Sequence, residues 1–442
     1  MSRTEHHAVA ETRAAEPHEG YFTRPLSETD PGLAAMIGRE LARQRDQIEL
    51  IASENLVSRA VLDAQGSVMT NKTVEGYPGA RFHGGADFAD EIERLAIERA
   101  TRLFGCRFAN VQPHSGSQAN QVVYLALIRP GDRLLGMGLA AGGHLSHGAA
   151  PNQTGKWFDV RHYGVDRESG RIDMDEVARL AREHRPHVVI AGGSAYSRII
   201  DFARFREIAD AAGAHLLVDM AHIAGLVAGG AHPSPLPHAH IVTTTTYKSL
   251  RGARGGIILT DDEALAKKID SAIFPGVQGS PILHAMAGKA ACLGEALRPE
   301  FAAYAHATLN NARALADTLT GRGDTIVSGG TDTSLMLLDL RPRKLTGKLA
   351  CARLEAAGLT CNKNAVPFDP EKPAVTSGLR LSSNTGTTRG FGETEFRLIG
   401  GLIANVLDEL AADPEADAGP AVAAARGDVA ALCRRFPIYP EM

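Results

Sequence analysis

Lys248 closes the run His240-Ile-Val-Thr-Thr-Thr-Thr-Tyr-Lys248 and opens Ser249-Leu-Arg-Gly-Ala-Arg-Gly-Gly256. A β-branched strand therefore delivers a lysine into a glycine-rich turn. Upstream, Ala214-His-Leu-Leu-Val-Asp219-Met-Ala-His222 is a second apolar strand, and it ends on an acid. A buried amine can condense with an aldehyde, and a carboxylate at a strand end can keep a pyridine nitrogen protonated so that the ring accepts electrons. Those are the two requirements of pyridoxal phosphate chemistry. A single lysine at a turn is more commonly a surface residue with its stem along apolar neighbours, so the weight falls on the rest of the chain.

Further motifs could complete such a site. His114-Ser115-Gly116-Ser117-Gln118-Ala119-Asn120 precedes an apolar-periodic helix. Small hydroxyls and a glycine there expose backbone N–H groups where the helix dipole favours a phosphate, although an ordinary serine N-cap would look the same. Gly142-Gly143-His144-Leu145-Ser146-His147 offers an imidazole that could stack on a flat ring, and Ala191-Gly-Gly-Ser194-Ala-Tyr-Ser197 puts a hydroxyl at a strand end. Phe274-Pro-Gly-Val-Gln-Gly279-Ser280 is by itself only a turn. Arg380, in Thr376-Ser-Gly-Leu-Arg380-Leu-Ser382, suits a bidentate carboxylate, its alternative being a surface salt bridge. Asn71-Lys-Thr-Val-Glu75-Gly-Tyr-Pro-Gly-Ala-Arg-Phe82-His83-Gly-Gly85 is too polar and glycine-rich for core. It carries a candidate acid–base carboxylate, Glu75, and an aromatic–imidazole pair.

The elements that must position these residues are legible in outline. From about 90 to 275, helical patterns (91–103, 118–127) alternate with short strands (133–136, 187–190, 216–218, 241–245). That alternation predicts an α/β fold around a mostly parallel sheet, with Asp219 and Lys248 at carboxyl ends of strands. A helix is expected over 33–50, a long helical stretch over 282 to about 319, a strand over 335–340, a helix over 347–357 and a polar loop over 362–373. Two further helical segments close the chain, with a turn over 411–424. The expected organisation is a tail and arm helix (1–50, disordered to about 27), a large domain (51–300) and a smaller α+β domain (301–442). With 442 residues, 44% hydrophobic and 22% charged, and 47 Lys+Arg against 51 Asp+Glu, neither a nucleic-acid stripe nor an acidic tail stands out. No run of roughly twenty apolar residues suggests a membrane span. The five cysteines are scattered without a CxxC, which predicts a reduced, cytoplasmic protein with no metal site.

Taken together, these segments resemble serine hydroxymethyltransferase, a fold-type I pyridoxal phosphate enzyme. The resemblance runs from about Leu33 to Tyr439. It is carried by Glu49-Leu-Ile-Ala-Ser53-Glu-Asn55, Glu75-Gly-Tyr-Pro-Gly79, Gln112-Pro-His-Ser-Gly-Ser-Gln-Ala-Asn120, Gly142-Gly-His-Leu145, Val218-Asp-Met-Ala-His222 and Thr243–Lys248. The resemblance implies that Lys248 condenses with the cofactor aldehyde, that Asp219 partners the ring nitrogen and that His144 stacks on the ring, with His222 and Ser194 at the ring hydroxyl. It places Ser115, Gly116 and Ser117 on the phosphate, with Gly279 arriving from a neighbouring subunit, and Tyr247 beside the lysine. Arg380 and Ser53 would bind the substrate carboxylate, Glu75 would move protons, and Leu139, Gly143, Leu145 and Asn364 would border substrate and tetrahydrofolate. A homodimer or tetramer with shared sites follows from the same resemblance.

Several positions depart from the family pattern. Tyr247 stands where histidine usually precedes the lysine, and Thr73 where a tyrosine precedes the catalytic glutamate. Phe82-His83 replaces Tyr-Tyr, Gly193 replaces a bulky aromatic, and Ala374 replaces an aromatic of the folate pocket. Lys248, Asp219, Arg380 and Glu75 are all kept, which argues for altered specificity rather than lost activity. The combination resembles the branch acting on 2-methylserine and D-alanine, where an imidazole smaller than a phenol leaves room for a methyl on Cα. His83 could then share acid–base work with Glu75. The expected reaction breaks or forms a Cα–Cβ bond of a β-hydroxy amino acid and passes the one-carbon unit to tetrahydrofolate. The rivals are an ordinary serine enzyme, a folate-independent aldolase or threonine transaldolase, and a non-catalytic binder of the cofactor.

Overall fold

The computed structural model describes residues 20–415 and 419–442, so most of the polar N-terminal tail lies outside the described residues. Residues up to Asp46 form a unit of their own, carrying the helices Leu26–Thr29 and Pro31–Asp46. Asp30 starts the longer one, its side chain accepting the Leu33 N–H at 2.9 Å. The helix ends at Asp46 and not near Leu50 as expected. Ile48 and Leu50, both fully buried, alternate with half-buried Glu49 in the period of a strand, and Ile48–Glu49 pairs in parallel with Leu359–Thr360.

The centre of the molecule is a seven-stranded sheet. We number its strands β1 (Phe108–Asn110), β2 (Arg133–Met137), β3 (Asp159–Tyr163), β4 (Val188–Ala191), β5 (His215–Asp219), β6 (Ile241–Thr245) and β7 (Gly256–Thr260). Their spatial order is β1-β7-β6-β5-β4-β2-β3, and only β7 runs against its neighbours. The interior strands read as unbroken apolar runs because both faces are covered. Leu135, Leu216, Val218 and Ile257 feed one core, while Leu134, Leu217, Ile241 and Ile258 feed the core on the opposite face. Parallel strands bring all their carboxyl ends to one edge, so the segments after β1, β2, β4, β5 and β6 meet there.

Beyond this sheet the expected helix over 282–319 is two helices, Leu283–Ala296 and Pro299–Gly321. Pro299 is the reason: it has no N–H to continue the first helix and its fixed φ suits the first turn of the second. Phe301 and Tyr304 enter the core of the seven-stranded sheet, whereas Ala312, Leu315 and Leu319 enter a separate one. That second core lies under an antiparallel sheet of β8 (Thr325–Ile326), β9 (Leu335–Asp339), β10 (Asn362–Asn364) and β11 (Gly378–Ser382), in the order β8-β9-β11-β10. Helices Glu393–Ala412 and Pro420–Arg435 cover it. Among the described residues no helix is long and apolar enough to cross a membrane.

A buried ionic cluster anchors the polar loop around Glu75. Arg81 bonds Asp90 at 2.8 Å and also pairs with Glu93, while its Nη1 donates to the Gly76 carbonyl at 2.6 Å. Gln112 Nε2 donates to the same carbonyl and to Glu93, tying the loop to the segment after β1. Removing Arg81 leaves buried Glu93 without its cation and Asp90 with only the more exposed Arg94, at 3.3 Å. Arg81→Met should cost roughly 3–5 kcal/mol of folding stability, read as a lowered midpoint in urea denaturation.

Candidate active site

A small cavity of about 50 Å³, open to solvent, lies at the carboxyl edge of the seven-stranded sheet. Each strand end contributes a segment to it. After β1 come Ser115, Gly116 and Ser117. After β2 come His144 and His147, after β4 Gly193 and Ser194, after β5 Asp219 and His222, and after β6 Tyr247 and Lys248. The expected lysine, acid, stacking imidazole and phosphate cradle therefore share one chamber.

Asp219 is the electrostatic anchor. Burial opposes its ionisation, but a hydrogen bond from His147 and the positive influence of His147, His144 and Lys248 outweigh this and hold its carboxyl well below the usual range. Its Oδ2 lies 3.0 Å from His147 Nε2 and accepts from Asn120 Nδ2 at 2.9 Å. The tautomer of His147 follows from its neighbours. Its Nδ1 accepts the His144 backbone N–H, so Nε2 carries the proton toward Asp219. Asn120 is fixed in turn by Thr243, whose hydroxyl donates to its Oδ1 at 2.6 Å. Its amide also donates to Ser146 Oγ, which sits 2.7 Å from His144 Nδ1. With the Ser146 N–H also donating to that nitrogen, the ring of His144 is oriented from below. Burial above all pushes His144 down to about 4, leaving a neutral imidazole suited to stacking. Although His144, His147 and Asp219 bring ligand-type atoms within 4.8 Å of one another, these hydrogen bonds already engage them, in keeping with a ring-binding relay.

Lys248 is buried, and its loop is held through the backbone. Its carbonyl accepts from Asn55 Nδ2 at 3.0 Å, and the same amide donates to Tyr304 Oη. Tyr304 donates to the Ser249 carbonyl. Arg251, which closes the turn at φ +58°, stacks 3.9 Å over the Tyr304 ring. Burial pushes the Lys248 amine down to about 8 against the pull of Asp219, with Arg380 and Arg254 acting the same way as burial. Tyr247 lies flat beneath Arg254, 4.0 Å from guanidinium to ring centroid.

The chamber also shows that a polar ring with a phosphate fits. His222 Nδ1 and Thr245 Oγ1 are buried there without a hydrogen-bond partner, a costly state that a ligand would relieve. At the cradle, helix Gly116–Leu127 starts with Ser115 as N-cap, and its first-turn N–H groups have no intrahelical acceptor. A side chain at Gly116 would strike Thr245 Cγ2 at 2.6 Å, so the backbone must approach β6 unshielded.

Arg380, on β11 of the smaller sheet, is not among the lining residues but borders the chamber through Ser194. Its Nη1 donates to the Ser194 carbonyl at 2.8 Å and its Nε to Asn362 Oδ1 at 3.1 Å. Burial pushes it down to about 10, with no acid offsetting that cost. A buried guanidinium bonded only to neutral oxygens is set to accept a carboxylate. Ser53 is half-buried, and its neighbours Ala52 and Glu54 accept from Asn384 and Thr385, just past β11.

The remaining expected residues do not line the chamber. Leu139 and Leu145 are exposed on the turns flanking His144, and Gly143 is packed so closely that a Cβ would lie 2.1 Å from the Met137 carbonyl oxygen. Asn364 ends β10, two residues beyond Asn362. Glu75 and Gly279 form a second group, since a Cβ on Gly279 would meet Glu75 Oε1 at 3.0 Å. His83 is exposed beside Phe82, which packs on Phe274 at 5.3 Å between centroids. Sequence reasoning missed Asn120, Ser146, His147, Asn55 and Tyr304. For His147 a signal existed, because a second histidine three residues after His144 lies on the same face of a turn.

The chain is similar in sequence to known proteins over most of its length. The profile of the family described as Serine hydroxymethyltransferase matches residues 26–403. The serine hydroxymethyltransferase of Paramagnetospirillum magneticum is 65% identical over 423 residues, covering 96% of this chain and 99% of that protein. Those of Acidiphilium cryptum and Rhodospirillum centenum are each 63% identical, over 419 residues (95% of this chain, 97% of that protein) and 422 residues (96% and 98%).

The depressed amine gives a pH signature in the cofactor-free protein. Lys248 binds a proton less readily folded (about 8) than unfolded (10.5), so its burial penalises folding below about pH 8 and that penalty disappears as pH rises toward 10.5. Lys248→Met should therefore stabilise the apoprotein most at pH 7–8, and its advantage over wild type should shrink by pH 10.5. Urea midpoints of both proteins across that window measure the difference.

Proposed function

Because this chain belongs to the serine hydroxymethyltransferase family, we propose that its cavity performs that family's reaction, moving a hydroxymethyl group between an amino acid and tetrahydrofolate with pyridoxal phosphate. The observation that carries the reading is that buried Lys248 and ionised Asp219 share one chamber, with acid-free Arg380 at its border on the Ser194 carbonyl. When bound, pyridoxal phosphate supplies an aldehyde and an electron-accepting ring. Everything else is the work of the chain. Lys248 offers an amine with an appreciable neutral fraction near pH 7–8. Asp219, held ionised, keeps a proton on a ring nitrogen beside it. Neutral His144 covers a ring face, and the helix start at Ser115–Ser117 takes the phosphate. Arg380 fixes the substrate carboxylate, which sets the Cα–Cβ bond relative to the ring, and Ser53 assists from the segment beside β11.

Proton transfer at the substrate hydroxyl is assigned to Glu75. Glu75 and Gly279 sit together but outside the chamber of their own chain, which supports a homodimer in which each copy lends this pair to its partner. Exposed Phe82 and Val68, with Leu33, Met36 and Ile37 exposed on the N-terminal helix, supply apolar surface for such contacts. Leu139, Leu145 and Asn364 are assigned to the folate side.

One observation favours a substrate pair larger than serine and glycine. Gly193, where the family commonly has an aromatic, lines the chamber next to Ser194, and Thr73 and His83 replace phenols near Glu75. The smaller side chains at 73 and 83 are the basis for proposing a methyl on Cα, as in 2-methylserine and D-alanine, whereas at Gly193 a Cβ would already lie 2.9 Å from Tyr196 Cβ. Absorbance titration of the holoenzyme with glycine and with D-alanine, each with and without tetrahydrofolate, tests both readings. A long-wavelength band that depends on folate is expected, and a stronger response to D-alanine favours the methylated pair. No band with either amino acid would overturn hydroxymethyl transfer. The Thr73→Tyr/His83→Tyr double variant should lower the D-alanine-to-glycine activity ratio by about tenfold, the scale of one methyl group in a pocket.

A further inference from the structure

The spacing of the five cysteines suggests no pair, yet the fold creates one. Cys351 lies on helix Gly347–Ala356. The chain then turns through Gly358 at φ +80° and runs back as Leu359–Thr360. Cys361 is thereby laid against the helix it has just left. Cys351 Sγ donates to the Cys361 carbonyl oxygen at 3.2 Å, which brings the two residues into direct contact. Cys106, Cys292 and Cys433 are buried elsewhere in the two cores. Cys351 is half-buried and so the more accessible of its pair, while Cys361 is buried.

The pair is also chemically biased. The neighbouring Cys361 side chain, aided by the Lys363 backbone N–H and opposed by burial, pushes Cys351 down to about 6. The thiol of Cys361 is pushed up by the same contact and by its burial. Cys351, the more accessible thiol, is thus the one that more readily gives up its proton, which in the resting protein is donated to the Cys361 carbonyl, and Cys361 keeps its own. The residue after Cys361 is Asn362, which faces Arg380 across the β10–β11 pairing and accepts its Nε–H.

We propose that Cys351 and Cys361 form a redox couple that a hydroperoxide closes to an intrachain disulfide, displacing Asn362 and loosening the hold on Arg380. The Cys351 thiolate attacks a peroxide oxygen as the O–O bond breaks, giving a sulfenic acid and, with a proton, one water from hydrogen peroxide. The Cys361 sulfur then forms the S–S bond as the S–O bond breaks, and its proton leaves with the hydroxide as a second water. Two thiols lose two electrons and the peroxide gains them. An S–S bond of about 2.05 Å draws helix and strand closer than a hydrogen-bonded contact does, and β10 is the shorter element. A dithiol reductant reverses the reaction.

The effect on affinity rests on Arg380 as the carboxylate binder; the formation of the bond does not. Glycine binding to the reduced holoenzyme, measured first, checks the former separately. After hydrogen peroxide, intact mass should show the loss of two hydrogens per chain, and a non-reducing peptide map should join Cys351 to Cys361. The KM for the amino acid should rise roughly five- to tenfold with a smaller change in kcat, and dithiothreitol should restore it. Cys351→Ser and Cys361→Ala should each abolish both changes. A wild type that keeps its hydrogens, or a map joining other cysteines, overturns the proposal. So does a mapped Cys351–Cys361 bond that leaves the amino-acid KM unchanged.

Discussion

A carboxylate that stays ionised while buried is the constraint around which this molecule is arranged. Left alone at the end of β5, Asp219 would take up a proton and lose its use. Keeping it charged requires donors that are themselves immobile, and the chain supplies two from different elements: Asn120 from the helix after β1 and His147 from the turn after β2. Each donor is fixed by a further bond, Asn120 by Thr243 and His147 by the His144 backbone. Four strand ends must therefore keep register within a few tenths of an ångström, which a sheet buried on both faces by close-packed side chains can do. Asn120 bonds both Asp219 and Ser146, so the group that holds the charge also orients the stacking ring.

The substrate end of the site is built on the opposite logic. Asp219 is saturated with partners, whereas Arg380 is given only neutral oxygens, from Ser194 and Asn362. Burying a cation without an acid is unfavourable in the empty protein, and a bound carboxylate offsets that penalty. The two charges also come from separate cores, with Asp219 on the large sheet and Arg380 on the small one. The Arg380–Ser194 bond ties β11 to the segment after β4, the neighbour of the strand that carries Asp219.

Most of this was legible from local patterns. Strand ends carrying Asp219 and Lys248 showed because the strands are unbroken apolar runs closed by turn residues, and 241–245 is observed as expected. The helix start at Ser115 showed through its small residues. What stayed hidden depends on contacts between segments. Asn120 sits within a helix where nothing distinguishes it from any buried amide, and only the strand order brings it to Asp219. The helix over 282–319 was read through Pro299 because its apolar spacing continues on both sides. Ile48 and Leu50 were read as helical because a strand so short leaves only two apolar positions. The proximity of Cys351 and Cys361 depends on a helix and the strand that reverses along it. A spacing of ten residues gives no hint of this.

The helix that begins at Pro299 has a mechanical consequence. Its first turns hold Tyr304, whose hydroxyl donates to the Ser249 carbonyl and accepts from Asn55 beside Lys248. Its later turns hold Leu315 and Leu319, locked into the second core. Eleven residues separate Tyr304 from Leu315, about 16 Å of rigid rod. One rigid element is thus packed at one end in the small-sheet core and bonded at the other to the lysine turn. The position of the peptide bond following Lys248 is therefore set in part by side chains packed in the other core, about 16 Å along the same helix.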